Sequence, residues 1–149
     1  MLAGSIIGLR PRDLTRLEHL LRDNHLPCQD CAGQLQHFYG LFEADRLIAA
    51  GGLEPAGACA LLRSIVVDRG HRSQRLGAKI VEFLLQKARE QRLAAVYLLT
   101  ETAESYFEKF GFSALPRDRV PEAVGKTRQF ESLCPLGACC MGLKLTGDA

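Results

Sequence analysis

Arg72-Ser73-Gln74-Arg75-Leu76-Gly77 is a short polar stretch between two apolar ones. LLRSIVV (61–67) before it is apolar and β-branched and reads as a strand. AKIVEFLLQKAREQ (78–91) after it has helical spacing. A strand feeding a helix through such a loop is suited to hold an anion. The first N–H groups of a helix have no intrahelical partner and carry partial positive charge, so they receive phosphate oxygens. Arginine adds bidentate phosphate recognition, and glycine lets the backbone come close to a ligand. Arg72, Ser73, Gln74, Arg75, Leu76, Gly77 and Ala78 are therefore the candidate anion cradle. The plainer alternative is a tight connection with solvated charges. A Walker-type loop and a GxGxxG fingerprint are both absent.

Other residues could do proton chemistry or bind an acceptor. Glu54 closes the run LIAAGGLE (47–54), where a partly buried carboxylate could take a proton directly or through water. A solvated strand-end charge is its alternative. Glu101 follows AAVYLLT (94–100) and is a second candidate base. Arg63 and Ser64 interrupt an apolar strand. Arg63 either clamps a substrate carboxylate or pairs internally with Glu54 or Glu101. Thr100 and Thr102 are close enough in sequence to add hydroxyls, and Arg119, Lys126 and Arg128 either extend an anionic pocket or coat a helix.

The elements that must position these groups follow from periodicity and turn residues. SIIGLR (5–10) reads as a strand, and Leu14, Leu17, Leu20 and Leu21 recur at helical spacing between Pro11 and Pro27. Residues 28–36 hold at most a short helix. HFYGLFE (37–43) and LIAAGGLE (47–54) form a hairpin with Asp45 in the turn, followed by the strand ACALLRSIVV (58–67). After the helix come a buried strand at 94–100, a short helix at 104–110 capped by Gly111, and a strand from Phe112. A helix around 120–133 and a last strand, ACCMGLKL (138–145), complete the order. The pattern predicts one α/β domain over residues 1–149, a mixed, mostly antiparallel twisted sheet with helices on both faces.

The chain has 149 residues, is 47% hydrophobic and carries a net charge of +2, enough for one real core and without the basic footprint of a nucleic-acid binder. No apolar run is long enough to cross a bilayer, and MLAGSIIGLRPRD lacks a basic region ahead of an apolar one. The expectation is a cytoplasmic protein with no membrane and no nucleic-acid partner. Of six cysteines, Cys28 and Cys31 have zinc-ligand spacing, but no second CxxC and no HxxxH accompanies them. The expectation is no metal; an arsenite or metal binder built on these thiols stays as an alternative.

VVDRGHRSQRLGAKIV followed by YLLTETAESYFEKFGF resembles the GNAT superfamily of N-acetyltransferases. The family signature, Arg/Gln-x-x-Gly-x-Gly/Ala, is met at Arg72 and Gly77, while Arg75 stands at its first glycine. The resemblance implies that main-chain N–H groups of residues 72–78 bind the pyrophosphate of acetyl-CoA, the co-substrate. It also implies that Ile65, Val66 and Val67 pair with the pantetheine arm. An N–H near Ile65 or Val66 would hold the oxyanion where two strands part after residue 65. Arg75 is expected in the helical region at the first turn, with Gly77 in the more constrained position. The family's tyrosine position is Phe107 here, so Phe107 is expected to pack against pantetheine or thioester. Proton delivery to the CoA thiolate then falls to Tyr106, Ser105, Thr102 or water. LLRSIVV, LLTETAESYFEKFGF, VPEAV, TRQFESLCP and CCM look like the subfamily of small GNAT proteins linked to arsenic resistance, which is similar to the acetyltransferase domain of N-acetylglutamate synthases. That resemblance implies a small amino-acid-like acceptor amine, glutamate or an arsenic-containing analogue; taken with the residues above, the expectation is direct acetyl transfer with Glu54 or water as base and Arg63, Ser64, Thr100 and Thr102 around the acceptor. It implies a homodimer as well. A CoA-binding module without catalysis is the remaining alternative.

Overall fold

The computed structural model describes residues 5–134 and 137–145, without the side chains of Ser73 and Leu133. The leucine stripe at 14–21 becomes helix α1, Leu14–Asp23, entered through a 3-10 turn that Pro11 begins. A short helix α2, Cys31–Gln34, follows. The strands are β1 Ile7–Gly8, β2 Phe38–Glu43, β3 Arg46–Ala56 and β4 Cys59–Val67. Helix α3, Leu76–Glu90, leads to β5, Ala95–Thr100, and α4, Glu104–Glu108. Strand β6, Ser113–Ala114, helix α5, Glu122–Gly125, and β7, Cys139–Lys144, complete the described chain. Gly111, at φ +101°, turns the chain out of α4 as expected, and its N–H bonds Glu108 O at 3.0 Å.

The strands form one sheet in the order β1-β2-β3-β4-β5-β7-β6. Every neighbour is antiparallel except β4 and β5. That mixed, mostly antiparallel sheet is the fold class the sequence predicts. One face is covered by α3, whose Leu76, Ile80, Val81, Leu84, Leu85 and Ala88 are buried against Ala49, Leu53, Leu62 and Leu98. Each large side chain of that stripe contributes about 2 kcal/mol of burial. The other face is covered by α1 over Phe38, Leu47, Ala50 and Val66, and by Val124 and Phe130 over Cys59, Leu61 and Ala95. No helix among the described residues is long and apolar enough to cross a membrane.

Two irregularities matter for function. Register between β3 and β4 runs Ala50↔Val66, then Gly52↔Arg63, so Ser64 and Ile65 stand opposite Gly51 alone. This is a β-bulge, and Ser64 takes φ +59° within it. Gly51 makes the bulge possible, because a Cβ there would lie 2.6 Å from Ile65 Cδ1 and 2.7 Å from Ile80 Cγ2. Among the described residues the parallel pairing of β4 and β5 is confined to Ala60↔Val96 and Leu61↔Tyr97. The strands thus part after residue 61, earlier than the expected residue 65, because the bulge swings β4 away.

The helix expected around 120–133 is instead two pieces, α5 and a π-helical turn, Gln129–Leu133. Thr127 divides them. Its hydroxyl donates to Val124 O (2.8 Å) and accepts from Phe130 N (3.4 Å), offering the backbone a local alternative to helix.

Candidate active site

The loop expected to cradle an anion is built on Asp68. Its carboxylate caps a 3-10 helix, Arg69–Gln74, by accepting from Gly70 N (3.2 Å), and pairs with Arg46 (3.0 Å). His71 bridges Asp68 through Nδ1 and Glu43 through Nε2, both at 3.0 Å. Arg69 donates to Asp23 O (2.5 Å) and Arg72 to Asn24 Oδ1, tying the loop to the end of α1. The chain then turns at Arg75, φ +60° and ψ +29°. The expectation of a helical φ at Arg75 is therefore corrected. Arg75 is the N-cap of α3 and occupies the left-handed region that glycine adopts without strain. Gly77 is constrained by space rather than by φ, since a Cβ there would lie 3.0 Å from Tyr106 Oη and 3.6 Å from Val67 Cγ2. The first helical bond runs from Lys79 N to Arg75 O (3.3 Å). That leaves the N–H groups of Leu76, Gly77 and Ala78 ahead of it.

A cavity of about 710 Å³ opens in front of this helix end, lined by Ile65, Val66, Val67, Arg72, Arg75, Gly77, Ala78 and Tyr106 among others. Leu76 is fully buried and anchors the helix, and Gln74 is exposed outside the lining. The Ser73 side chain lies outside what is described. A second cavity, about 460 Å³, fills the wedge between β4 and β5. Arg63, Ser64, Thr100, Glu101, Thr102 and Phe107 line it. Asn24, Leu26, Ile65 and Tyr106 line both, so the two meet.

Tyr106 and Phe107 are turned apart by the helix. Phe107 is buried in the main core, edge-on to Phe112, and touches only the second cavity. Tyr106 stands half-buried at the junction, packed edge-on against Phe107 and Phe110. Burial raises its phenol, and the Glu82 carboxylate adds to this against the opposing charge of Arg75. The phenol therefore keeps its proton at neutral pH. Thr100 Oγ1 accepts from Ala103 N (3.0 Å) at the start of α4, which ties its oxygen to the backbone. Ser105 is exposed and lies outside both linings.

Arg63 and Glu54 are brought together, with a third residue between α1 and α2 that the sequence did not single out. Arg63 Nη1 donates to Asp30 Oδ2 (2.6 Å) and Glu54 Oε1 (2.9 Å), and Nη2 to Asp30 Oδ1 (2.5 Å). Nε donates to Ser64 Oγ (3.2 Å), and the guanidinium lies 5.3 Å from the Phe38 ring centroid. Arg63, Asp30 and Glu54 are 3%, 6% and 7% exposed, so the triad is almost wholly buried, with Arg63 facing the second cavity. Burial raises the Asp30 carboxyl, but the hydrogen bonds and charge of Arg63 outweigh it and hold it below the usual value. Of the two readings of Arg63, the structure shows the internal pair. Glu54 lies behind Arg63 and is not among the residues lining either cavity.

The sequence model of the acetyltransferase (GNAT) family matches residues 9–112. The chain belongs to that family. The fold is shared with solved structures of low identity. A Mycobacterium tuberculosis protein in complex with CoA and a second ligand is 21% identical at a TM-score of 0.81, over 96% of this chain and all of that one. N-acetylglutamate synthase from Neisseria gonorrhoeae, complexed with coenzyme A and N-acetyl-glutamate, is 17% identical at a TM-score of 0.83; 98% of this chain is covered and 36% of that one. A PaiA N-acetyltransferase from Thermoplasma acidophilum in complex with coenzyme A is 12% identical at 0.73, covering 97% and 100%.

The cysteines of this acetyltransferase are free where described. Cys31 is fully buried under α1, and burial pushes its thiol up to about 12. Such a thiol is protonated at neutral pH and is a poor nucleophile. Among the described residues no group of three or more His, Cys, Asp or Glu side chains is arranged to hold a metal. Among the lining residues that sequence reasoning missed are Asn24, Glu82, Lys109, Gln129 and Cys134. Gln129 and Cys134 fall in TRQFESLCP, a stretch that carried the resemblance but no chemical role; its Pro135 lies outside the described residues.

Proposed function

We propose that this acetyltransferase moves the acetyl group of acetyl-CoA directly to a small amino-acid-like amine, glutamate or a glutamate analogue, an arsenic-containing one included. The observation that carries this is the wedge between β4 and β5, which joins the anion loop with Tyr106 at the junction. In this reading the N–H groups of Leu76, Gly77 and Ala78 and the Arg72 and Arg75 guanidiniums take the pyrophosphate. The pantetheine arm lies along Ile65–Val67, on the side of β4 that β5 vacates. The bulge at Ser64–Ile65 turns main-chain N–H toward the thioester oxygen, where charge develops as the amine attacks. The Tyr106 phenol gives its proton to the departing thiolate. Because that donor stands at the junction, catalysis fits the cleft better than a module that only binds CoA. The same reading carries a homodimer and a cytoplasmic location.

The amine must lose a proton, and the wedge offers Glu101 for this, directly or through water. Glu54 reaches the wedge only through Arg63. In an assay of free thiol released from acetyl-CoA with a panel of amines, Glu101→Gln should lower kcat/KM at least tenfold near neutral pH. Glu54→Gln should mainly lower the unfolding temperature. The opposite pattern would return the base to Glu54, and no thiol release with any amine would sink the proposed activity.

Arg75 gives a separate test of the loop. Arg75→Gly should raise stability by up to about 1 kcal/mol by relieving the left-handed residue. It should also weaken acetyl-CoA about tenfold through loss of a charged phosphate contact. Calorimetric titration and thermal unfolding read the two effects separately. Unchanged affinity would place the guanidinium away from the phosphates.

A further inference from the structure

The histidine behind the loop that leads into α3 is held by two acceptors at once. His71 stands on the 3-10 helix Arg69–Gln74, just ahead of Arg72, and its side chain is 12% exposed. Nδ1 faces Asp68 Oδ2 and Nε2 faces Glu43 Oε1, each at 3.0 Å. A carboxylate only accepts hydrogen bonds, and a neutral imidazole has one N–H and one lone pair. A neutral ring would aim that lone pair at a carboxylate oxygen. Both contacts are therefore made by the imidazolium.

The ring ties the loop to the hairpin, because Glu43 ends β2. Asp68 is fixed without it. Its Oδ1 accepts from Arg46 Nη2 (3.0 Å), its Oδ2 from Gly70 N (3.2 Å), and its own N–H donates to Ile48 O (2.8 Å). Loss of the ring proton therefore opens the contact to Glu43, which is exposed. The neighbouring charges do not replace that tether. Arg69 and Arg72 reach away to Asp23 O and Asn24 Oδ1. From α1, Arg16, His19 and Asp23 meet Glu43, Asp45 and Arg46 around a separate cavity of about 490 Å³.

The hydrogen bonds to Asp68 and then Glu43 raise the ring above the ordinary histidine value. The bridge is thus complete below that ordinary value and is lost as pH rises through the folded one. His71 lines neither the cavity before α3 nor the wedge, so it acts through the loop. We propose that His71, as the imidazolium, is a positioning residue for acetyl-CoA, holding the loop against the hairpin in the form that receives the pyrophosphate. This rests on the reading of the loop as the pyrophosphate site and adds a pH dependence to it.

Calorimetric titration with dephospho-CoA between about pH 6 and pH 8.5 tests this. That ligand lacks the 3′-phosphate, a monoester that itself titrates at about pH 6. Wild-type affinity should fall about threefold across the range, the scale of one partly exposed charged contact. Glu43→Gln should flatten the profile. An amide can donate to the neutral Nε2 as well as accept from the protonated one, so the tether holds in both states. Glu43 lines neither cavity of the proposed site, and His19 stays in place, so the difference between the two profiles belongs to His71. Nitrogen NMR of the histidine rings at about pH 6 should show both His71 nitrogens protonated. A flat wild-type profile, a slope that Glu43→Gln leaves unchanged, or a bare His71 nitrogen at that pH would each overturn the assignment while leaving CoA binding intact. No binding of dephospho-CoA at any pH would sink the reading of the loop, and this role with it.

Discussion

Tyr106→Phe is expected to lower kcat about a hundredfold, the usual worth of a positioned general acid. KM for acetyl-CoA should stay within about threefold, because phenylalanine keeps the edge-on packing against Phe107 and Phe110. Steady-state thiol release at saturating amine reads the first number, and calorimetric titration checks the second. The pH profile sharpens the test. The folded-state value of this phenol is raised, so it holds its proton through the alkaline range where most amines become reactive. The wild-type rate should therefore climb with pH as the amine deprotonates and fall only above the ordinary tyrosine value. A kcat unchanged by Tyr106→Phe would mean that water protonates the thiolate, and Tyr106 would be left as a wall of the cleft.

Arg63→Met is expected to cost about 3–5 kcal/mol, because it leaves two buried carboxyl groups facing each other without their cation. For a chain of this size that lowers the unfolding temperature by about 10 °C. Replacing Arg63, Asp30 and Glu54 together by apolar residues should cost less than Arg63→Met alone, since no charge is then stranded. The sign with pH follows from Asp30. Its folded value lies below its unfolded one, so the stability it contributes is present above the ordinary carboxylate value and is lost as pH falls through the folded value. Thermal unfolding between pH 7 and pH 3 would show the wild type losing stability in acid, and Asp30→Asn losing much less. A loss under 1 kcal/mol for Arg63→Met would show that solvent reaches the triad.

Local signals made most of the fold legible. The strands and long helices fall where β-branched runs and leucine spacing put them, and the hairpin turn contains Asp45 as expected. What escaped was decided by tertiary contact. Asp30 sits in a stretch without periodicity, and only the folded chain carries it to Arg63, thirty-three positions away. The phase of a five-residue helix decides whether Tyr106 or Phe107 faces the cleft, and sequence leaves that phase open. β4 parts from β5 four residues before the expected point, and a bulge leaves no mark in an apolar run except the small residue opposite, Gly51. The left-handed turn at Arg75 is imposed by the loop, and an arginine there does not announce it.

The two residue pairs that join β4 to β5 also bear on how this scaffold changes over evolutionary time. Each side of the wedge keeps its own ladder of hydrogen bonds, β1–β4 on one side and β5, β7 and β6 on the other. The aperture between them is set by the apolar side chains wedged beneath it, Leu62, Leu98 and Phe107. Trading one such side chain for another changes volume in small steps. Re-registering a strand would instead flip every side chain along it. A lineage built this way can resize the cavity proposed for the acceptor by single substitutions while the end proposed for the phosphate stays as it is.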